Sequence, residues 1–446
     1  MNSLIIFLSF FLKINSKNNY ISIPIYHKKP TNENFYLDSK LNPALARIKI
    51  GSSKQELSIK LSIKYCPLSI AGTETSIKES KYDKSNSNTF KNEGQENPTN
   101  ILFESFKTYL NATDTIIFGK EEIDKIKFNY VTELSTNEDN SGILGLSKST
   151  FNSGLVQYNL IIQLKNRKLI SSYTYSLIYD NYEEGKLIIG SYPHEYDSKY
   201  KKENKVSSNL EFDNYEHINV DVFSVKYGDI ETLDKNSKYN KIHLSFYESL
   251  CYGTLNYEKE ILKDFFQKYL DEKKCNIEII KEKSDYKSYV CDSSIDIKKF
   301  KDLNITIRGK EEHEKIDFIF TYEDLFTKIN RKWYFLVYFY GDSKVDMNVF
   351  QIGRQFFKKY IAVFDIDNKV ISFYKKVPSS FPHFISWFLL IIAVLVIGFL
   401  IYYIYKMRLN KRKIRANELE DDFEYTPKKN NKNNGDINEK YTKLLG

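Results

Sequence analysis

The sequence predicts a mainly β fold in two lobes, followed by one apolar C-terminal helix. Three observations carry that reading. Short runs of Ile, Val, Phe, Tyr and Thr alternate with polar residues and are cut by Asn, Asp, Ser and Gly, the pattern of half-buried strands. Helical spacing recurs in few places, chiefly Glu258 to Leu270, where Ile261, Leu262, Phe265 and Phe266 share one apolar face. From Phe384 to Tyr405 no residue is charged, and at about 1.5 Å per residue such a helix crosses a hydrocarbon core of about 30 Å.

Size and composition agree with two lobes. A chain of 446 residues can bury a substantial core, and 15% aromatic with 28% charged residues is a globular balance. The formal net charge of +8 is spread thinly, with much of the excess beyond Tyr405, so nucleic acid is not an expected partner. No cofactor or metal is expected, and the chain is read as a monomer.

From the N-terminus, residues 1–16 read as a signal peptide, with an apolar run from Leu4 to Leu12 and cleavage near Ser16. Strands are expected at Ala46–Ile50, Leu57–Ile63 and Tyr173–Tyr179, with a polar surface loop over Ser80–Asn100. Lys201–Ser208 is a polar break and marks the lobe boundary, giving an N-terminal lobe over 41–200 and a C-terminal lobe over 201–378.

The apolar segment 384–405 reads as a transmembrane helix. Trp387 near its start and Tyr402, Tyr403 and Tyr405 near its end suit the two membrane interfaces. Lys406, Arg408, Lys411, Arg412, Lys413 and Arg415 follow at once, and such a cluster stays cytosolic. A single-pass type I protein is expected, its large N-terminal part extracellular or lumenal in the secretory or endosomal pathway. Residues 406–446 are expected to form a cytosolic tail without fixed structure. All four cysteines, Cys66, Cys251, Cys275 and Cys291, precede the helix, where disulfides are permitted. The sequons at Asn111 and Asn304 lie on the same side and are glycosylation candidates.

Four stretches then appear in a familiar order: Ile48–Leu61, with Ile50-Gly51 at its turn; Tyr82–Lys91; Ser141-Gly-Ile-Leu-Gly-Leu-Ser147; and Phe350–Phe373, with Ile352-Gly353-Arg354 and Val363-Phe364-Asp365. Together they resemble the pepsin-like aspartic peptidases over nearly the whole region before the helix. Ile161–Leu164 and Gly185–Gly190 fall in order between the third and fourth. The resemblance implies the bilobal pepsin-like acid-protease fold. It also implies a shortened propeptide-like segment over 17–40, from Tyr20-Ile-Ser-Ile-Pro, and a second-lobe disulfide between Cys275 and Cys291. Cys66 and Cys251 then pair with each other or stay reduced.

Peptidases of this family hydrolyse amides with two aspartates that share one proton, one from each lobe. Alignment from Gly51 puts Ser62 at the first of these positions and Lys64 at the loop's glycine. In the second lobe Ser245 takes the aspartate's place, with Phe246 and Tyr247 following and Ser249 matching the motif's last serine. The resemblance therefore implies no catalytic pair, and Arg354 replaces a third family aspartate. The flap tyrosine falls near Leu102 or Phe103. Two weaker chemistries share a strand face with these serines: Ser62 with Lys60 or Lys64, and Ser245 with His243.

The leading expectation is a membrane-anchored pseudopeptidase that holds an extended peptide or protein in its inter-lobe cleft without cutting it. The first alternative is an active, divergent aspartic endopeptidase using Glu56 or Glu248. The second is a cargo or sorting receptor acting through its tail, where Tyr441-Thr-Lys-Leu444 fits a Tyr-x-x-apolar signal.

Overall fold

The computed structural model describes residues 19–28, 35–36, 43–63, 65–77, 80–94, 97–98, 106–134, 141–148, 153–180, 183–212, 218–233, 241–245, 250–280, 286–311, 313–340, 350–376 and 383–424. The chain divides into a unit through Lys376 and a second from Val377 onward. The signal peptide, the flap positions Leu102 and Phe103, and Tyr441 with Leu444 lie outside the described residues.

The first unit is built on two large sheets. The alternation read from the sequence sets which side of each strand is buried. In Gln55–Ser62, Leu57, Ile59 and Leu61 are at most 1% exposed, whereas Ser58 and Lys60 point the other way. That strand pairs antiparallel with Leu45–Ile50 along its length. A long hairpin, Phe106–Phe118 with Glu121–Leu134, closes the first lobe's side of this sheet. Part of the expected Ser80–Asn100 loop joins it, since Lys91–Asn92 and Asn97–Pro98 both pair with the hairpin.

The same sheet collects strands from both ends of the chain. Ile21–Tyr26 pairs residue for residue with Glu184–Ile189 and also touches Leu45–Ile50. Tyr360–Asp365 pairs with Thr174–Tyr179, and Val370–Lys375 pairs with Val206–Asn209. The polar break at 201–208 thus leads into a strand of a shared sheet. The segment expected to be propeptide-like supplies an inner strand and, with Phe35 and Tyr36, a plug in the second lobe. Both rings are nearly fully buried against Leu250, Tyr252, Tyr334 and Tyr338. Tyr36 Oη donates to the carbonyls of Tyr289 and Phe335, and Tyr338 Oη donates to the Tyr36 carbonyl.

In the second lobe the helical stretch expected at Glu258–Leu270 runs from Leu255 to Asp271, with a π-helical turn at Leu262–Phe266. Ile261, Phe265 and Phe266 are buried, as their spacing requires. Phe266 stacks on Tyr289 at 4.1 Å between ring centroids. Cys275 and Cys291 stand opposite one another in paired strands and form the disulfide that the resemblance implied. Cys66 and Cys251 are both buried reduced thiols, so the alternative in which they pair is not taken.

The two sequons fall inside strands rather than in loops. Asn111 stands opposite Asn129, and Asn304 has a paired strand on each side. Both are half-buried, and each Oδ1 is buried without a hydrogen-bond partner among the described residues.

In the second unit one helix runs from His383 to Glu424 and includes an apolar stretch long enough to cross a membrane. The helix outlasts the expected span of 384–405, and residues 406–424 are helical rather than without fixed structure. Lys, Arg, Leu, Ala and Glu dominate that extension and are strong helix formers.

Candidate active-site loops

Ser62 and Ser245 occupy equivalent points of a four-strand unit that occurs once in each lobe. In the first lobe Gln55–Ser62 runs parallel to Gly142–Gly145, with Ser62 opposite Gly145. Gly142–Gly145 is antiparallel to Leu68–Ala71, which is parallel to Glu121–Leu134. In the second lobe Lys241–Leu244 runs parallel to Phe350–Ile352. That strand is antiparallel to Cys251–Tyr252, which is parallel to Val337–Tyr340. Each serine's main chain is tied to the neighbouring strand, through the carbonyl of Ser62 and the amide of Ser245. Leu146 N donates to Ser62 O at 2.7 Å, and Ser245 N donates to Ile352 O at 2.9 Å.

After Ser62, the segment Tyr65–Cys66 rests on Gly145, where a Cβ would lie 2.5 Å from the Cys66 carbonyl carbon and the Tyr65 carbonyl oxygen. Only glycine permits that approach of two backbones. The loop is held from below by Asn159. Its Nδ2 lies 2.8 Å from Cys66 O, 2.8 Å from Ser147 O and 2.9 Å from Tyr173 Oη. Its Oδ1 accepts from Ile162 N and so caps the helix Leu160–Asn166. Ile161–Leu164, noted above for its place in the motif order, lies within this helix, whereas no motif pointed to Asn159. An Asn directly before an apolar helical run was the available signal.

The side chains at the two points are small, polar and secluded. Ser62 is 7% exposed and Ser245 1%. Ser62 Oγ accepts from Tyr65 N at 3.4 Å. Ser245 Oγ is buried with no hydrogen-bond partner among the described residues, so it makes no hydrogen bond to His243. Burial pushes the Cys66 thiol up to about 11, which keeps it protonated and inert. Cys251 Sγ donates to Gln355 Oε1 at 3.6 Å. Arg354, at the start of the Arg354–Lys359 helix, is fully buried.

The acids considered for an alternative pair are placed differently. Glu56 is exposed and lies six residues before Ser62 on the same strand, about 20 Å away at strand rise. It cannot reach the Ser62 end. Glu248 lies outside the described residues, as do Lys64, Phe246, Tyr247 and Ser249.

No curated protein matches the chain significantly. A family model does. The eukaryotic aspartyl protease model matches residues 45–376, well over half of the chain and the whole of the repeated architecture described above. On the fold, the repeated loop unit and this match, the chain belongs to the eukaryotic aspartyl protease family.

Proposed function

We propose that this chain is a membrane-anchored, non-catalytic member of its family that binds an extended peptide or protein segment in the cleft between its lobes. The observation that carries the proposal is the serine at each of the two repeated strand ends, where the family's mechanism requires carboxylates. A serine hydroxyl stays un-ionised near neutral pH and cannot act as the general base that activates water. It also cannot take part in the shared-proton pair that splits acid from base in this chemistry. The strand-rich walls of a two-lobed fold suit an extended ligand, whose main chain pairs with exposed edges.

The anchor is the helix within His383–Glu424, with the first unit on the lumenal or extracellular side. The run of basic residues from Lys406 favours that orientation. Protease protection in sealed microsomes tests it. The region before the helix should survive digestion until detergent is added, and digestion without detergent would reverse the orientation.

Catalysis is tested directly with the full chain and an unfolded protein at about pH 3 to 6, the range in which a shared-proton carboxyl pair works. No cleavage above background is expected, with or without a statine-type inhibitor. Cleavage that the inhibitor blocks would overturn the proposal and point to Glu248.

A further inference from the structure

The structure carries a cationic, tyrosine-lined surface around the end of its last strand, immediately before the chain departs for the apolar helix. Lys375 ends the strand Val370–Lys375, paired with Tyr360. Lys376 N donates to Lys359 O at 3.2 Å, and its ammonium donates to Tyr179 O. Lys199, Lys201, Lys202 and Lys205 approach from the segment that leads into the neighbouring strand Val206–Asn209. The ammoniums of Lys199 and Lys205 sit 5.0 and 5.1 Å from the ring centres of Tyr200 and Tyr192.

Acidic residues neutralise only part of this charge. Asp197 pairs with Lys199 at 3.1 Å and Asp324 with Lys359 at 2.7 Å. Lys201, Lys202 and Lys375 are exposed and make no ion pair among the described residues. Beside Lys375 opens a cavity of about 360 Å³ lined by Val206, Phe318 and Phe373, by Lys359 and Lys375, and by the carboxylate of Asp317. Ile319, 44% exposed, adds apolar surface there. An apolar slot that carries two ammoniums against one carboxylate suits an anionic amphiphile.

Chain length says which one is at hand. Six residues separate Lys376 from His383. At no more than about 3.6 Å per residue, a link of that length has a reach of about 25 Å when fully extended. A surface tethered so closely meets lipid headgroups at high effective concentration, so individually weak lysine contacts suffice. Each lysine near an anionic bilayer adds a modest attraction, and tyrosine favours the interface. We propose that this surface, centred on Lys201, Lys202 and Lys375, binds anionic phospholipid headgroups of the bilayer that anchors the chain and so holds the folded unit against it. The proposal rests on the anchored reading above. Burial first, and nearby cationic groups to a smaller extent, push Lys358 and Lys376 down to about 8.

The test uses the full chain in nanodiscs of phosphatidylcholine, with and without phosphatidylserine, read by hydrogen exchange over residues 199–206 and 370–376. Exchange should slow by about fivefold or more in the anionic discs, and the slowing should vanish in about 1 M salt. It should also vanish in the variant K201E/K202E/K375E. All three side chains are exposed, and the variant's Tm in phosphatidylcholine discs checks that the fold is intact. Equal exchange in both discs, or slowing that survives the charge reversal, overturns the proposal. A chain that never enters a disc overturns the anchored reading instead and removes this inference with it.

Discussion

The two lobes present the same strand unit but support it by different means. In the first lobe the loop after Ser62 hangs on one polar side chain, Asn159, whose amide spans the Cys66 and Ser147 carbonyls and the Tyr173 hydroxyl. In the second lobe the core that includes Cys251 of the return strand is aromatic, and Phe265, Phe266, Phe300, Phe326 and Phe335 meet in it edge-on or tilted. A disulfide closes one flank of that core, and Phe35 with Tyr36 plugs the opposite face of its sheet. The first lobe has neither device among the described residues. One topology can thus be held either by a few directional bonds or by many non-directional contacts. The two should fail differently.

Phe266→Ala should have the largest effect. The ring is fully buried and stacked on Tyr289, and its removal should cost about 4 kcal/mol, measured by denaturant unfolding. A loss below about 1 kcal/mol would mean that the aromatic core does not hold the second lobe. Asn159→Ala should cost about 3 kcal/mol, because it removes a helix cap and strands buried carbonyls. Asn159→Asp sharpens the contrast. It keeps the capping oxygen but faces the same acceptors with another acceptor, so it should be no more stable than the alanine variant. Recovery of wild-type stability in Asn159→Asp would reduce Asn159 to a cap.

Removing the disulfide by C275S/C291S frees a loop of sequence separation 16 and should lower stability by about 3 kcal/mol. The loss should appear in exchange protection of the second lobe while the Ser62 loop stays protected. The smallest expected effect is pH-dependent. Lys358 and Lys376 titrate near 8 in the folded chain against an ordinary 10.5, so between those values the unfolded chain holds more protons. Stability should therefore rise as pH increases from about 8 towards 10.5, and Lys376→Met should flatten the rise in Tm. A Tm that falls across this window in the wild-type chain would contradict the burial of these ammoniums.

Much of this was legible in the residues themselves. Period-two alternation marks Leu57, Ile59 and Leu61 as buried, and an uncharged run at Phe384–Tyr405 marks the long helix. Both follow from local patterns, since a strand's faces and a helix's length depend on nearby residues alone. The motif order also carried the family and the Cys275–Cys291 pairing. Tertiary structure decided the rest. No local pattern tells that Ile21–Tyr26 pairs with Glu184–Ile189, that Phe35 and Tyr36 enter the second lobe, or that strands beyond residue 359 complete a sheet begun near residue 21. The roles of Asn159 and of the lysines around Lys376 were hidden for the same reason. A polar side chain's function is set by what the fold brings to it from distant sequence, and a sequence read in order does not contain that neighbour list.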